Sequence, residues 1–199
     1  MSTKKISVGV LDIQGSVEEH FAVLQKMGAD VSLVKTHEDL AKVFGLIIPG
    51  GESTTVGKLM KKYGLDRSIR RRAGGTKRNL VIWGTCAGAI LLSKKIRNRR
   101  PDVLGLMDVD IARNAYGRQV DSFETDLRIP HLGNKKIQAV FIRAPRVKKA
   151  SGKVKVLAQY RGEPVMLQQK NLLVTTFHPE LTNDTTIHQY FLSLTKHYA

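Results

Sequence analysis

Two short stretches of the sequence hold residues whose types and spacing suit covalent chemistry. In "LVIWGTCAGAI" (80–90) the chain's only cysteine, Cys86, stands between Gly84 and Gly88. In "TFHPEL" (176–181) His178 is followed by Pro179 and Glu180. A thiol, an imidazole and a carboxylate make a nucleophile, a base and a group that orients the base. An apolar run entering Gly-X-Cys-X-Gly and leaving as a helical pattern is the cysteine counterpart of the G-x-S-x-G nucleophile elbow. Such a turn projects the nucleophile and brings the residues two before and two after it too close for side chains, which suits Gly84 and Gly88. A helix N-terminus also favours a charged sulfur. Taken alone, the elbow leaves open a structural cysteine in a Gly-rich turn, since free Cys is among the most buried residue types. His178 tips the balance. It follows the apolar run "NLLVTTF", and open parallel sheets gather reactive groups at the C-terminal ends of their strands. Glu180 is spaced to orient its ring. The other histidines lack such a setting: His20 falls in a helical pattern, His37 and His131 in loops, His188 and His197 in the last helix.

Acyl chemistry also needs donors for a developing oxyanion. The amide of Ala87, next to the nucleophile, is one. The Gly51 region of "IIPGGEST" (47–54) offers a second, because paired glycines leave backbone N–H groups free to face a ligand. Ser53 or Thr54 would cap the helix that follows. The loop is not a phosphate-binding P-loop, since the G-x-x-x-x-G-K-[ST] pattern is missing.

The elements that must position these groups follow from hydrophobic period. "KISVGVLDIQG", "DVSLVK", "GLIIPGG" and "NLVIWG" read as strands, alternating with the helical stretches "SVEEHFAVLQKMGA", "EDLAKV", "STTVGKLMKKYG", "LDRSIRRRAGG" and "AGAILLSKK". Ser16 fits as the N-cap of the first helix, with Val17, Phe21, Leu24 and Met27 on its apolar face. Alternating β and α with near-continuous apolar strands predicts a parallel sheet covered on both faces. The second half reads as "GLMDVDIARN", "SFETDLRI", "QAVFIRAP", "KVLAQYRG", "EPVMLQQ" and "NLLVTTFHP", all strand-like. A final amphipathic helix uses Ile187, Tyr190, Phe191 and Leu194. The expected architecture is α/β, a three-layer α/β/α arrangement with a mixed, mostly parallel central sheet, in a single domain over 1–199.

Composition narrows the function classes. The 199 residues carry 33 Lys+Arg against 17 Asp+Glu, a formal charge of +16. The densest basic segments, 67–78, 93–100 and 146–155, sit in expected connections and lack the interleaved aromatics of a base-stacking platform. That argues against nucleic-acid binding and for a solvated basic surface or an acidic partner. One cysteine excludes an internal disulfide and a cysteine-cluster metal site. It suits a reducing cytoplasm, and no apolar run has the roughly 18 residues of a membrane span.

Cysteine elbow, Pro-Gly-Gly loop and His-Pro-Glu, in that order after a β-α start, resemble the class I (triad) glutamine amidotransferases. "GLIIPGGESTT", "GTCAGAILL", "RNAYGRQVDSFE", "VFIRAP" and "FHPELTND…IHQYF" look like the glutaminase subunits of pyridoxal 5′-phosphate synthases. That resemblance implies a flavodoxin-like glutaminase fold and hydrolysis of L-glutamine to glutamate and ammonia. The ammonia would pass to a synthase subunit as protein partner. It implies Cys86 as nucleophile, His178 as base and then acid, and Glu180 as orienter. It implies Gly51, Glu52, Ser53, Arg113, Ile142 and Arg143 around the glutamine, with no metal and no cofactor. Guanidinium groups suit an α-carboxylate, and Glu52 suits its ammonium. "DIQGSVEEH" departs from the commoner form of the family, in which leucine precedes Gln-Gly, in a loop that the family turns toward its synthase. Two alternatives accompany this reading. One is the glutaminase of another amidotransferase, such as imidazole glycerol phosphate synthase. The other is a non-catalytic binding protein on the same fold.

Overall fold

The computed structural model describes residues 6–75, 79–96, 104–113 and 122–199. The expectations for 76–78, 97–100 and the 114–121 part of "RNAYGRQVDSFE" lie outside the described residues. β1 (Ser7–Leu11) leads through α1 (Val17–Lys26) to β2 (Asp30–Val34), and α2 (His37–Lys42) leads on to β3 (Gly45–Ile48). Helices α3 (Ser53–Lys62) and α4 (Leu65–Ala73) precede β4 (Val81–Thr85), and α5 (Ala87–Leu92) leaves it. Then come β5 (Ser93–Ile96), β6 (Met107–Ala112), the hairpin β7 (Ser122–Ile129) and β8 (Lys135–Ile142), and β9 (Arg146–Ala150). β10 (Lys155–Tyr160), β11 (Glu163–Gln169) and β12 (Leu172–Thr175) lead to the last helix, α6 (Thr186–Tyr198).

Seven strands form the central sheet in the order β10-β11-β12-β4-β3-β1-β2. Neighbours from β12 to β2 run parallel, and β10 and β11 add an antiparallel margin. The sheet is mixed and mostly parallel, as the strand patterns predict. Its two faces bury different residues. Along β4, Ile82 packs with Met60 of α3, Ile69 of α4 and Leu91 of α5, whereas Val81 and Trp83 pack with Leu24 of α1 and Phe191 of α6. The β7–β8 hairpin adds Leu127, Ile129 and Phe141 to the second side.

Local details differ from the sequence reading. Helix α5 has six residues, and Ser93–Ile96 continues as β5 in a three-stranded sheet with β6 and β9. "RVKKA", read as a connection, is that sheet's strand β9, with Val147 buried and followed by two exposed lysines. His37 opens α2 and does not lie in a loop. Ser16 precedes α1 without a side-chain cap, and its own N–H donates to the Gly50 carbonyl at 3.0 Å. The N-cap of α3 is Glu52, not Ser53 or Thr54. Its carboxylate accepts from the N–H groups of Thr54 and Thr55 at 3.0 and 2.7 Å, which satisfies two of the amides a helix start leaves open.

Candidate active site

The register of two parallel strands builds the site. Thr85, last in β4, pairs with Thr175, last in β12, and the Cys86 N–H donates to the Thr175 carbonyl at 2.9 Å. Cys86 itself has φ 46° and ψ −99°, in left-handed territory that costs a residue with a Cβ on the order of 1–3 kcal/mol. Packing enforces the turn. A Cβ on Gly84 would lie 2.4 Å from the Gly88 carbonyl carbon, and one on Gly88 would lie 2.0 Å from the Ile48 carbonyl oxygen of β3. The glycines therefore let strand, turn and helix close on one another.

From β12 the chain runs three residues to His178, whose N–H donates to the Val140 carbonyl of β8 at 2.8 Å. His178 Nδ1 lies 2.7 Å from Glu180 Oε1, and both side chains are buried. With Nδ1 so engaged, Nε2 is left for the Cys86 sulfur, which lines the same cavity. The sulfur also lies 3.8 Å from the Ile142 carbonyl. Burial by itself would lower the His178 pKa, but the Cys86 sulfur and the Glu180 carboxylate outweigh it and raise the pKa to about 10. Burial would raise the Glu180 pKa, and His20 and His178 beside it hold the carboxyl well below the usual range. The ring rests on Gly50, where a Cβ would come within 2.3 Å of its Cε1.

These groups open into a cavity of about 510 Å³. Cys86, His178, Gly51, Ala87, Glu52, Ser53, Arg113, Ile142 and Arg143 all line it, and Glu180 stands behind His178. The amides of Glu52 and Cys86 are spoken for by Gln14 and Thr175, whereas those of Gly51 and Ala87 have no acceptor among the described residues. Ser53 Oγ is buried there without a hydrogen-bond partner among the described residues. Arg113 bridges Glu52 at 3.0 Å and Thr54 Oγ1 at 2.9 Å, so Glu52 serves helix cap and arginine together while about half its side chain stays open. Arg143 holds φ 42° at the cavity wall, a second strained non-glycine residue beside the sulfur.

The comparisons with known proteins fit this arrangement. A family profile described as "SNO glutamine amidotransferase family" matches residues 10–197. The chain belongs to that family. Its enzyme class is accordingly that of a glutaminase. Among the family's curated proteins, "Pyridoxal 5'-phosphate synthase subunit PdxT" of Thermosipho africanus is 48% identical, over 96% of this chain and 100% of its own length. The protein of that name from Thermotoga maritima is 45% identical over the same shares. A crystal structure described as a glutamine amidotransferase superposes with a TM-score of 0.90 at 43% identity, covering 95% of this chain and 98% of that one. PurLQS from Thermotoga maritima, at a TM-score of 0.72 and 17% identity over 95% of this chain and 98% of that one, shares the fold.

Beyond the family's sequence motifs, the geometry brings in residues that the sequence reading left without a role. Gln14 lines the cavity and accepts the Glu52 N–H at 2.8 Å, which braces the Gly50–Gly51 turn. His20 is fully buried on α1, 3.4 Å from Glu180 Oε2, and His188 of α6 lies against it. A clue was available. Residues 17, 20 and 24 share one helical stripe, so His20 belongs to the apolar face set by Val17 and Leu24. Phe21 and Met27, assigned to that face from the sequence, are only partly buried.

Proposed function

We propose that this chain works as one glutaminase domain of a pyridoxal 5′-phosphate synthase, in the cytoplasm. It would hydrolyse L-glutamine and pass ammonia to a synthase subunit. Cys86 attacks the side-chain amide carbon of glutamine, and the oxyanion settles on the Gly51 and Ala87 amides. His178 protonates the departing ammonia, leaving a thioester. His178 then takes a proton from water as that water attacks the thioester, and glutamate and the free thiol follow. Glu180 keeps the imidazole in the tautomer and direction both steps need. Arg113 and Arg143 suit the α-carboxylate, the open side of Glu52 suits the ammonium, and Ser53 and Ile142 complete the wall.

One observation carries the reading: His178, bonded to Glu180, shares one cavity with Cys86 at the common edge of β12 and β4, beside two amides with no acceptor among the described residues. The lone thiol on the cavity suits a reducing compartment.

The test is release of glutamate and ammonia from glutamine, with and without a pentose-phosphate-binding synthase subunit. Cys86→Ala should lower turnover by at least about 10³-fold, as removal of a covalent nucleophile does. Retained turnover would overturn the assigned nucleophile. Failure of the wild-type chain in every combination would overturn the enzyme reading, and activation only by a histidine-pathway cyclase would reassign the ammonia acceptor.

A further inference from the structure

Behind the triad lies a buried polar cluster for which the steps above have no use. His20 Nδ1 is 3.0 Å from His188 Nε2, and His20 Nε2 is 3.2 Å from Thr85 Oγ1 and 3.4 Å from Glu180 Oε2. Trp83 meets both rings edge-on, with centroids at 5.3 and 4.9 Å, and its Nε1–H donates to Thr175 Oγ1 at 3.2 Å. The His20 ring, carried on α1, is thus fixed by neighbours from α6, β4 and the segment after β12.

Counting donors assigns the protons. Ionised Glu180 can only accept. Its Oε1 takes the His178 N–H, while Oε2, buried and without a recorded hydrogen-bond partner among the described residues, faces His20 Nε2 at 3.4 Å. A lone pair on that nitrogen would set two electron-rich atoms against each other in a dry interior, so Nε2 carries the hydrogen, shared between Oε2 and Thr85. Burial lowers the pKa of His20 despite Glu180, so the ring is neutral and acts on the carboxylate as an N–H dipole. Its Nδ1 then accepts the N–H of His188 Nε2. The reverse arrangement would strand a buried N–H at His188 Nδ1, which has no partner among the described residues, and an orphaned buried donor is rarer and costlier than an orphaned lone pair. Burial, with His20 adding to it, lowers the His188 pKa to about 3 and keeps that ring neutral too.

We propose that His20 is a positioning residue for the triad: its Nε2–H, aimed by His188 and Trp83, holds the inner oxygen of Glu180, so that one carboxylate is gripped between two imidazoles and presents its outer oxygen to His178. The inference rests on the triad reading above. The titratable groups facing His20 are Glu180, His178 and His188, together with Glu19 of its own helix.

Nitrogen-15 NMR of labelled histidines in the wild-type chain reads the tautomers directly. Hydrogen on Nε2 of both His20 and His188 is expected, and hydrogen on His20 Nδ1 would overturn the proposal whether or not the chain turns over glutamine. Kinetics in the presence of the synthase subunit supply the second arm. His20→Leu should lower kcat by about 10- to 100-fold, the usual reach of a supporting hydrogen bond, with KM within about twofold. It should also move the alkaline limb of the pH profile to lower pH, because a loosened Glu180 holds the His178 proton less firmly. His20→Gln keeps an N–H near the same point and should recover most of both. Unchanged kcat and limb in a folded His20→Leu would overturn the proposal. So would a folded His20→Gln as impaired as a Glu180→Ala variant, which decides the matter if the leucine variant does not fold. A wild-type chain inactive on glutamine would remove the triad reading and leave the tautomer result standing.

Discussion

Thr85 and Thr175 are register partners at the ends of adjacent parallel strands, and that pairing aligns a nucleophile with its base across nearly half the chain's length. One residue beyond Thr85 comes Cys86, and three beyond Thr175 comes His178. Neither spacing has meaning in the linear sequence. Sheet register converts the two into a contact.

That contact should be visible in titration. His178 is raised from 6.5 to about 10 against the pull of burial, by Cys86 and then by Glu180. In Cys86→Ala the first support is gone, so the His178 pKa should fall, as read by imidazole NMR. A raised folded pKa contributes stability that is full below pH 6.5 and fades as pH climbs through about 10. The wild type should therefore lose stability across that window, and Cys86→Ala should lose its smaller share at lower pH. An identical His178 titration in both proteins would refute the coupling.

Gly50→Ala should damage catalysis more than folding. The added methyl meets the His178 ring at Cε1, between its two nitrogens, and the ring must leave its present position. Misplacement by about 1 Å costs roughly 10²-fold in kcat/KM, and thermal unfolding should change little. Full activity in this variant would show that the ring has room to spare.

Gly88→Ala should cost stability outright. Its methyl meets a backbone carbonyl of β3, which cannot rotate aside. Overpacking of this kind costs about 1–3 kcal/mol, measurable as a lower urea midpoint at constant slope.

Glu52 makes its contribution mainly as a helix cap. Burial opposes ionisation, but the Thr55 and Thr54 donors hold its pKa at about 2, down from 4.5. A depressed pKa gives stability that is present above pH 4.5 and lost as pH falls toward about 2. With half the side chain in water, screening limits the effect to about 1 kcal/mol, typical of an N-cap. Glu52→Ala should lose that amount at pH 7 and show a flatter acid limb in denaturation. The same variant should raise KM, since Arg113 loses its anchor.

Much of the site was legible because its parts carry local constraints. Gly84 and Gly88 mark a turn that admits no side chain, and His178 and Glu180 lie two residues apart, so their contact survives in the sequence. The parallel sheet was legible through apolar strands such as "NLVIW". What escaped depends on long-range contact. His20 looks like any polar residue in an amphipathic helix until α6 brings His188 against it. Strand β9 looked like a loop because it lies in a small sheet with one covered face, leaving lysines where a central strand would carry valines. Glu52 took the cap because its two oxygens reach two amides at once, where a hydroxyl reaches one.

The clearance at Gly88 also bears on how such a centre can be transplanted. Because the start of α5 rests on the Ile48 carbonyl with no space for a methyl, the turn that carries Cys86 is shaped by a strand nearly forty residues upstream in the chain. A host protein given only the strand, turn and helix around the cysteine would hold the thiol at its own angle. The unit that can be grafted is the β3 end, the β4 end and α5 together.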